Sequence, residues 1–285
     1  MGFRVCQYIR VCLSKADLLM VQYVCEDVVD EDRQRKGGNM YLNQPAPQLL
    51  TTSRRLVILP IGSCEQHGPY LPIDTDLRIA QLLAENLALQ FSDALLLPAL
   101  PFSCSWEHKG LGTIALTVST VAATIHDIAY SLKAWETPNA LIIVNWHGGN
   151  DVLASLAAEI TAREGVPTAV IPSLTQVGKA WDTSTITTAK DIHAGAVETS
   201  VVQAYWPELI VGNIPRSAHC EPVITPAKPQ AVLQSLGSHI ITRDGIWGAP
   251  EDADPYKGRL LIETLQSSMY EQASRLLELV TTHQQ

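Results

Sequence analysis

Apolar residues recur along this chain in two alternating patterns. Short continuous runs, Leu56-Val-Ile-Leu59, Ala94-Leu-Leu-Leu-Pro98, Ala140-Leu-Ile-Ile-Val-Asn145 and Val166 to Ile171, have the aliphatic, β-branched character of buried strands. Between them lie longer segments with helical spacing, at about 76–90, 122–135 and 151–164, and a last one at about 256–281. Ile114–Val118 reads as a further strand, and a short helix is expected from about Glu198 to Trp206. Strands alternating with helices of this length predict an α/β fold: a three-layer, mostly parallel sheet flanked by helices. In such sheets ligands gather beyond the carboxyl ends of the strands.

The remaining stretches lack either period. Residues 173–192 are rich in Thr and Ser and read as a surface excursion. The segment Pro207–Pro229 holds five prolines and reads as irregular, and 233–241 as weakly structured. Before the first strand, the charged run Glu26–Lys36 ends in Gly37-Gly38 and reads as a linker, with Met40 just after it. The expected division is an N-terminal extension over 1–49, poorly ordered or dispensable, and one domain over 50–285.

The chain has 285 residues, enough for one large domain or two small ones. Its net charge of -9 argues against a nucleic-acid footprint or an anionic membrane as partner. No run of apolar residues approaches a membrane span. The six cysteines form no CxxC pair and no regular framework, which fits reduced thiols in a cytoplasmic protein.

Chemistry concentrates at strand ends. After Leu56–Leu59 the chain reads Pro60-Ile-Gly-Ser-Cys-Glu65-Gln-His67-Gly-Pro-Tyr-Leu-Pro-Ile-Asp74-Thr-Asp76. Glu65 and His67 are two residues apart, so extended backbone points both the same way. Asp76 opens the next helix, where it or Thr75 could cap. Glu, His and Asp meeting there make a divalent-metal ligand set; the plain alternative is a solvated loop with a capping Asp. A second strand runs into Asn145-Trp-His147-Gly148-Gly149-Asn150, whose paired glycines let backbone pass close to something bulky or charged. It could instead be an ordinary strand-to-helix turn. Two further clusters are Glu107-His108 and His193 with Glu198. Gly195 lets the chain turn between the last two, so both can face one cavity.

These stretches together resemble the creatininase family of metal-dependent amide hydrolases. The likeness runs over roughly 50–280 and rests on Pro60–Asp76, Asn145–Asn150 and His193–Ser200. The loops Glu107–Thr113 and Gly245–Pro250 agree in outline. The resemblance implies two divalent metal ions, zinc and/or manganese, held by Glu65, His67, Asp76, His147 and Glu198, with Asp76 bridging. The leaving nitrogen of an amide needs a proton, for which His193 is the expected general acid/base, with Asp191 orienting its ring and Glu198 as the other catalytic candidate. Glu107, His108 and Trp247, with Trp106, are expected at the substrate. Creatinine-hydrolysing members carry one more carboxylate two residues beyond the position of His147. Here that residue is Gly149, and Glu198 is the expected replacement.

The departure turns the expectation from creatinine toward the branch that contains formamide deformylases and the mycofactocin precursor peptide peptidase. The expected activity is hydrolysis of a non-activated C–N bond in an amide, cyclic amide or peptide. The alternatives are creatinine hydrolysis proper, an inactive metal-bearing homologue with a structural or interaction role, or an isomerase or lyase on the same metals. The expected partner is a small-molecule amide or peptide, with no nucleic acid and no membrane. The resemblance further implies a homo-oligomer, often a hexamer.

Overall fold

Four parallel strands form the sheet, in the order β2-β1-β3-β4: β1 (Arg55–Ile61), β2 (Ala94–Leu96), β3 (Asn139–Asn145) and β4 (Thr168–Ile171). The computed structural model describes residues 45–49, 55–135, 139–186, 191–216, 235–242 and 244–283. Side chains alternate across the sheet as the two-residue strand period requires. Leu56, Ile58, Ala140, Ile142 and Val144 enter one core, and Val57, Leu59, Ile61, Leu141 and Ile143 the other. Leu141, Ile142 and Ile143 are fully buried, and burial of each is worth about 1.5–3 kcal/mol.

The first core is covered by helix α1 (Thr75–Ala88), which returns the chain from β1 to β2, and by α4 (Leu174–Ser184), α5 (Ala196–Tyr205) and α6 (Pro255–His283). The second is covered by α2 (Val118–Lys133) and α3 (Val152–Glu164). The result is the three-layer α/β architecture expected from the strand–helix alternation.

The topology decides where the functional loops meet. The chain leaves β1 toward β2 on one side and returns to β3 on the other, so the order reverses between β1 and β3, where crevices form in such sheets. These two strands pair in register to their last residues, Ile61 opposite Asn145, and Trp146 N donates to the carbonyl of Ile61. The loops carrying Glu65 and His147 therefore leave the same edge side by side.

Several local expectations change. Ile114–Val118 is not a strand: Ile114 makes an isolated antiparallel bridge to Cys64, and α2 already begins at Val118. The Thr117 hydroxyl accepts from Thr120 N and caps that helix. Within the expected surface excursion lies α4, opened by a capping box. Ser173 Oγ accepts from Gln176 N, and Gln176 Oε1 accepts from Ser173 N. That helix buries Ala180, so its Thr/Ser content conceals one apolar contact face. Thr75 and Asp76 are not caps but lie inside α1, buried, with Asp74 at the cap position paired to Arg78. Part of 233–241 forms the short helix Ser238–Ile241. From Pro207 to Arg216 the irregular reading is relieved only by one turn at Pro207–Leu209. Residues 1–44 and 217–234 lie outside the described residues, and with them most of the N-terminal extension; Ala46–Leu49 is a single helical turn.

Candidate metal centre

Two loops, two helix starts and one crossing segment deliver the site. The loop after β1 brings Glu65 and His67, the first turn of α1 brings Asp76, and the loop after β3 brings His147. The segment before α5 brings His193, and the first turn of α5 brings Glu198. Tyr70 ties the first loop to α5: its hydroxyl donates to the Ala194 carbonyl at 2.6 Å and lies 2.7 Å from Thr199 Oγ1. All six polar side chains are buried or nearly so.

Asp76 stands between the two histidines. Its Oδ1 is 3.4 Å from His67 Nε2, and its Oδ2 is 2.9 Å from His147 Nδ1. Glu198 Oε2 lies 3.6 Å from His67 Nε2, and Glu65 Oε2 lies 3.3 Å from His147 Nδ1. Three of these donor sets are tight enough to share an ion: Glu65/His67/His193, Glu65/Glu107/His147 and His67/Asp76/Glu198.

The imidazole protons are placed by backbone carbonyls. His147 Nε2 donates to the Cys104 carbonyl at 2.7 Å, and His67 Nδ1 donates to the Glu65 carbonyl at 3.0 Å. A carbonyl only accepts, so each ring commits a proton outward. In its neutral form each ring would turn a lone pair toward carboxylate oxygens, an arrangement that either a second ring proton or a cation between them relieves. Glu65 Oε2, His67 Nε2 and Asp76 Oδ2 are buried without hydrogen-bond partners, although such atoms are rarely left unpaired. The residues present fit divalent ions held at this place. Outward N–H bonds to carbonyls are also the usual support of metal-binding histidines.

The electrostatics agree. Burial works against charge on His67, but Glu198 and Asp76 outweigh it and hold the imidazole well above its ordinary value. Burial likewise opposes a charged His147, but Glu65 and Asp76 carry it well above. Burial would raise Glu65, but His147 holds it well below the usual carboxylate range. Burial opposes ionisation of Glu198 too; His67 and the Ala194 N–H, which donates to Oε2 at 2.6 Å, lower it. In each case the site favours positive charge beside ionised carboxylates.

The other predicted residues take more particular places. His193 Nε2 donates to the Gln66 carbonyl at 2.6 Å, leaving Nδ1 facing Glu65 Oε1 at 3.7 Å. Burial, then the charge on His67, pushes His193 below its ordinary value, and with Nε2 committed to Gln66 its free nitrogen is Nδ1. Asp191 does not orient His193. Its Oδ2 accepts from Val197 N at 2.7 Å and so caps α5, and burial, joined by Glu198, lifts the carboxyl to about 7. His108 is buried behind Glu65 rather than spread on a wall. Gln66 Nε2 donates to its Nδ1 at 2.9 Å, so its Nε2–H faces Glu65 Oε1 at 3.5 Å, and burial with His193 pushes it down to about 3. Trp247 is buried and pairs through its backbone with His193. Trp106 is half exposed, its indole donating to the Leu116 carbonyl at 2.9 Å. Glu107 reaches to 3.5 Å from His147 Nε2.

Gln66 is the residue that sequence reasoning missed. Its carbonyl holds His193, its amide holds His108, and its Oε1 accepts from Gly68 N. Its position between Glu65 and His67 was the available signal.

Fold and site thus define a parallel α/β protein with a buried Glu/His/Asp metal cluster at the sheet's switch point. The family model described as creatininase, creatinine amidohydrolase, matches residues 41–272. The chain belongs to the creatininase family, and so to the metal-dependent hydrolases of amide bonds. It is 30% identical over 243 residues to the mycofactocin precursor peptide peptidase of Mycolicibacterium smegmatis, covering 79% of this chain and 89% of that one. It is 26% identical over 255 residues to a Methanothermobacter thermautotrophicus enzyme, 2-amino-5-formylamino-6-ribosylaminopyrimidin-4(3H)-one 5'-monophosphate deformylase, covering 84% and 97%. A crystal structure of creatininase superposes with a TM-score of 0.69 at 17% identity, covering 83% and 97%. Similar folds include a zinc–zinc form of a creatininase mutant (TM-score 0.63, 18% identity, covering 81% and 95%) and a manganese form of creatininase (0.61, 19%, covering 82% and 96%).

Proposed function

We propose that this protein hydrolyses a peptide or other linear amide bond with two divalent ions, zinc or manganese. Glu65, Asp76 and His147 would hold one, and His67, Asp76 and Glu198 the other. The observation that carries this reading is the placement of Asp76, with one carboxylate oxygen before each inward imidazole nitrogen. Such a pair of ions would supply a Lewis acid for the amide carbonyl and would acidify a water enough to make hydroxide available near neutral pH.

The chain's own residues do the rest. His193 keeps Nδ1 unprotonated beside the cluster and moves a proton between the attacking water and the leaving nitrogen. The Gln66 carbonyl fixes its ring, so that proton travels at one atom. His108 packs behind Glu65, its Nε2 3.5 Å from Oε1, and backs that carboxylate. On the loop that carries Glu107, Phe102, Trp106 and Ile114 are exposed apolar side chains, which suits a flexible peptide segment better than a small polar ring. The greater identity to a peptide peptidase supports the same choice.

We further propose a homo-oligomeric, cytoplasmic protein. Cys64 and Cys104 are free, and among the described residues no helix is long and apolar enough to cross a membrane. Light scattering coupled to size exclusion tests the oligomer; a monomer at working concentration would overturn it. The activity is tested by loading the stripped protein with zinc or manganese and following peptides, formamides and creatinine by mass spectrometry. Cleavage of a peptide or linear amide, abolished by chelation, is expected. Turnover of creatinine alone, or of no amide with either metal, would overturn the reading.

A further inference from the structure

The site has a gap where residue 149 lacks a side chain. A Cβ built on Gly149 would fall onto Glu107 Oε1, with the Cys104 carbonyl oxygen and His147 Nε2 next nearest. Glu107 therefore enters through the volume that any other residue at 149 would fill. Glu198, the carboxylate expected to take that role, instead lies on the far side of Asp76, against His67. The carboxylate grouped with Glu65 and His147 is Glu107.

Its position is built. Glu107 sits in the turn Trp106–His108, where His108 N donates to the Ser105 carbonyl. That loop is stitched to the turn bearing Gly149 from both sides. Cys104 N donates to Asn150 Oδ1 at 3.2 Å, and the Cys104 carbonyl accepts from His147 Nε2 at 2.7 Å. Within the same group, Glu65 Oε2 is buried with no partner. Charge points the same way. Glu65, Asp76 and Glu198 face the inward nitrogens of His67 and His147, Glu107 Oε1 lies 3.5 Å from the outer His147 Nε2, and two divalent ions would balance the four carboxylates.

We infer that Glu107, delivered from the loop after β2, is the carboxylate that completes the Glu65/His147 half of the metal centre, in the space that Gly149 leaves open. This rests on the metal-centre reading above. It makes the pair Glu107 and Gly149 a unit: a side chain at 149 and a carboxylate at 107 exclude each other.

Zinc binding to the stripped full-length protein tests it, by calorimetry and by elemental analysis after dialysis. Glu107→Gln keeps the shape and removes the charge. It is expected to weaken one of the two equivalents by at least about tenfold, the scale on which groups around a metal act, while the melting temperature of the stripped protein stays unchanged. The exchange Glu107→Ala with Gly149→Glu, which returns the carboxylate from the other loop, is expected to bind that equivalent more tightly than Glu107→Ala alone. Glu107→Gln binding both equivalents as the parent does, while Glu65→Gln loses metal, would overturn this inference and leave the site reading intact. If Glu65→Gln and His147→Ala also keep both equivalents, the site reading itself falls. A double variant no better than Glu107→Ala would overturn the claim that Glu107 stands in for residue 149.

Discussion

Asp76 Oδ2 lies 2.9 Å from His147 Nδ1, although one residue opens a helix after β1 and the other ends the loop after β3. The contact exists because β1 and β3 pair in register to their ends and because Gly62 lets α1 approach the strand closely. Among the described residues Asp76 Oδ2 has no hydrogen-bond partner, so a cation is the natural third member.

Removing either side of that arrangement should therefore show first in metal content. Glu65→Gln or His147→Ala is expected to lower the retained metal below two equivalents after dialysis. Elemental analysis checks it; full stoichiometry in both variants would remove these residues from the centre.

His193 should separate binding from chemistry. His193→Ala is expected to keep its metal and lose turnover by about 10²–10⁴-fold, the usual contribution of a positioned acid/base. Turnover at the parent rate with metal retained would take His193 out of the reaction.

The pH response of stability should depend on metal. His67 and His147 have raised values in the folded, metal-free protein. Their stabilisation is then fully present below the unfolded value of about 6.5 and is lost as pH rises through the folded values. Bound metal displaces those protons and binds more tightly as pH rises. The gap in melting temperature between loaded and stripped protein is expected to widen from pH 6 to 9. Differential scanning fluorimetry would show it, and a constant gap would count against proton–metal exchange at these rings.

Gly62 offers a test through the scaffold. A Cβ there would come within 2.6 Å of the Asp76 carbonyl carbon and closer still to Leu77 N. Backbone cannot yield as a side-chain tip can, so Gly62→Ala should cost about 1–3 kcal/mol, the usual penalty of overpacking. It should also weaken metal binding by displacing Asp76. A denaturant titration with the parent midpoint would show that the strand and helix have room.

The charged, glycine-ended run before Met40 and the start of the family match at residue 41 make the extension a candidate for removal. Deleting residues 1–39 is expected to leave solubility, metal content and amide hydrolysis at parent values. An insoluble or metal-free product would show that the extension belongs to the domain.

What the chain's residues determined by themselves was local. The runs at 56–59 and 140–145 can only be buried strands, and the polar residues after each must emerge at a strand end; this much placed Glu65, His67 and His147 on one edge. Tertiary structure decided which polar group faces which. It set Glu198 against His67, brought Glu107 into the gap at Gly149, gave Asp191 to the cap of α5 and put His108 behind Glu65. It also showed α4 beneath a Thr/Ser-rich surface. The reason is physical: hydrophobic periodicity reports the environment of each segment, whereas the choice among neighbouring carboxylates turns on strand register and on the space a missing Cβ leaves.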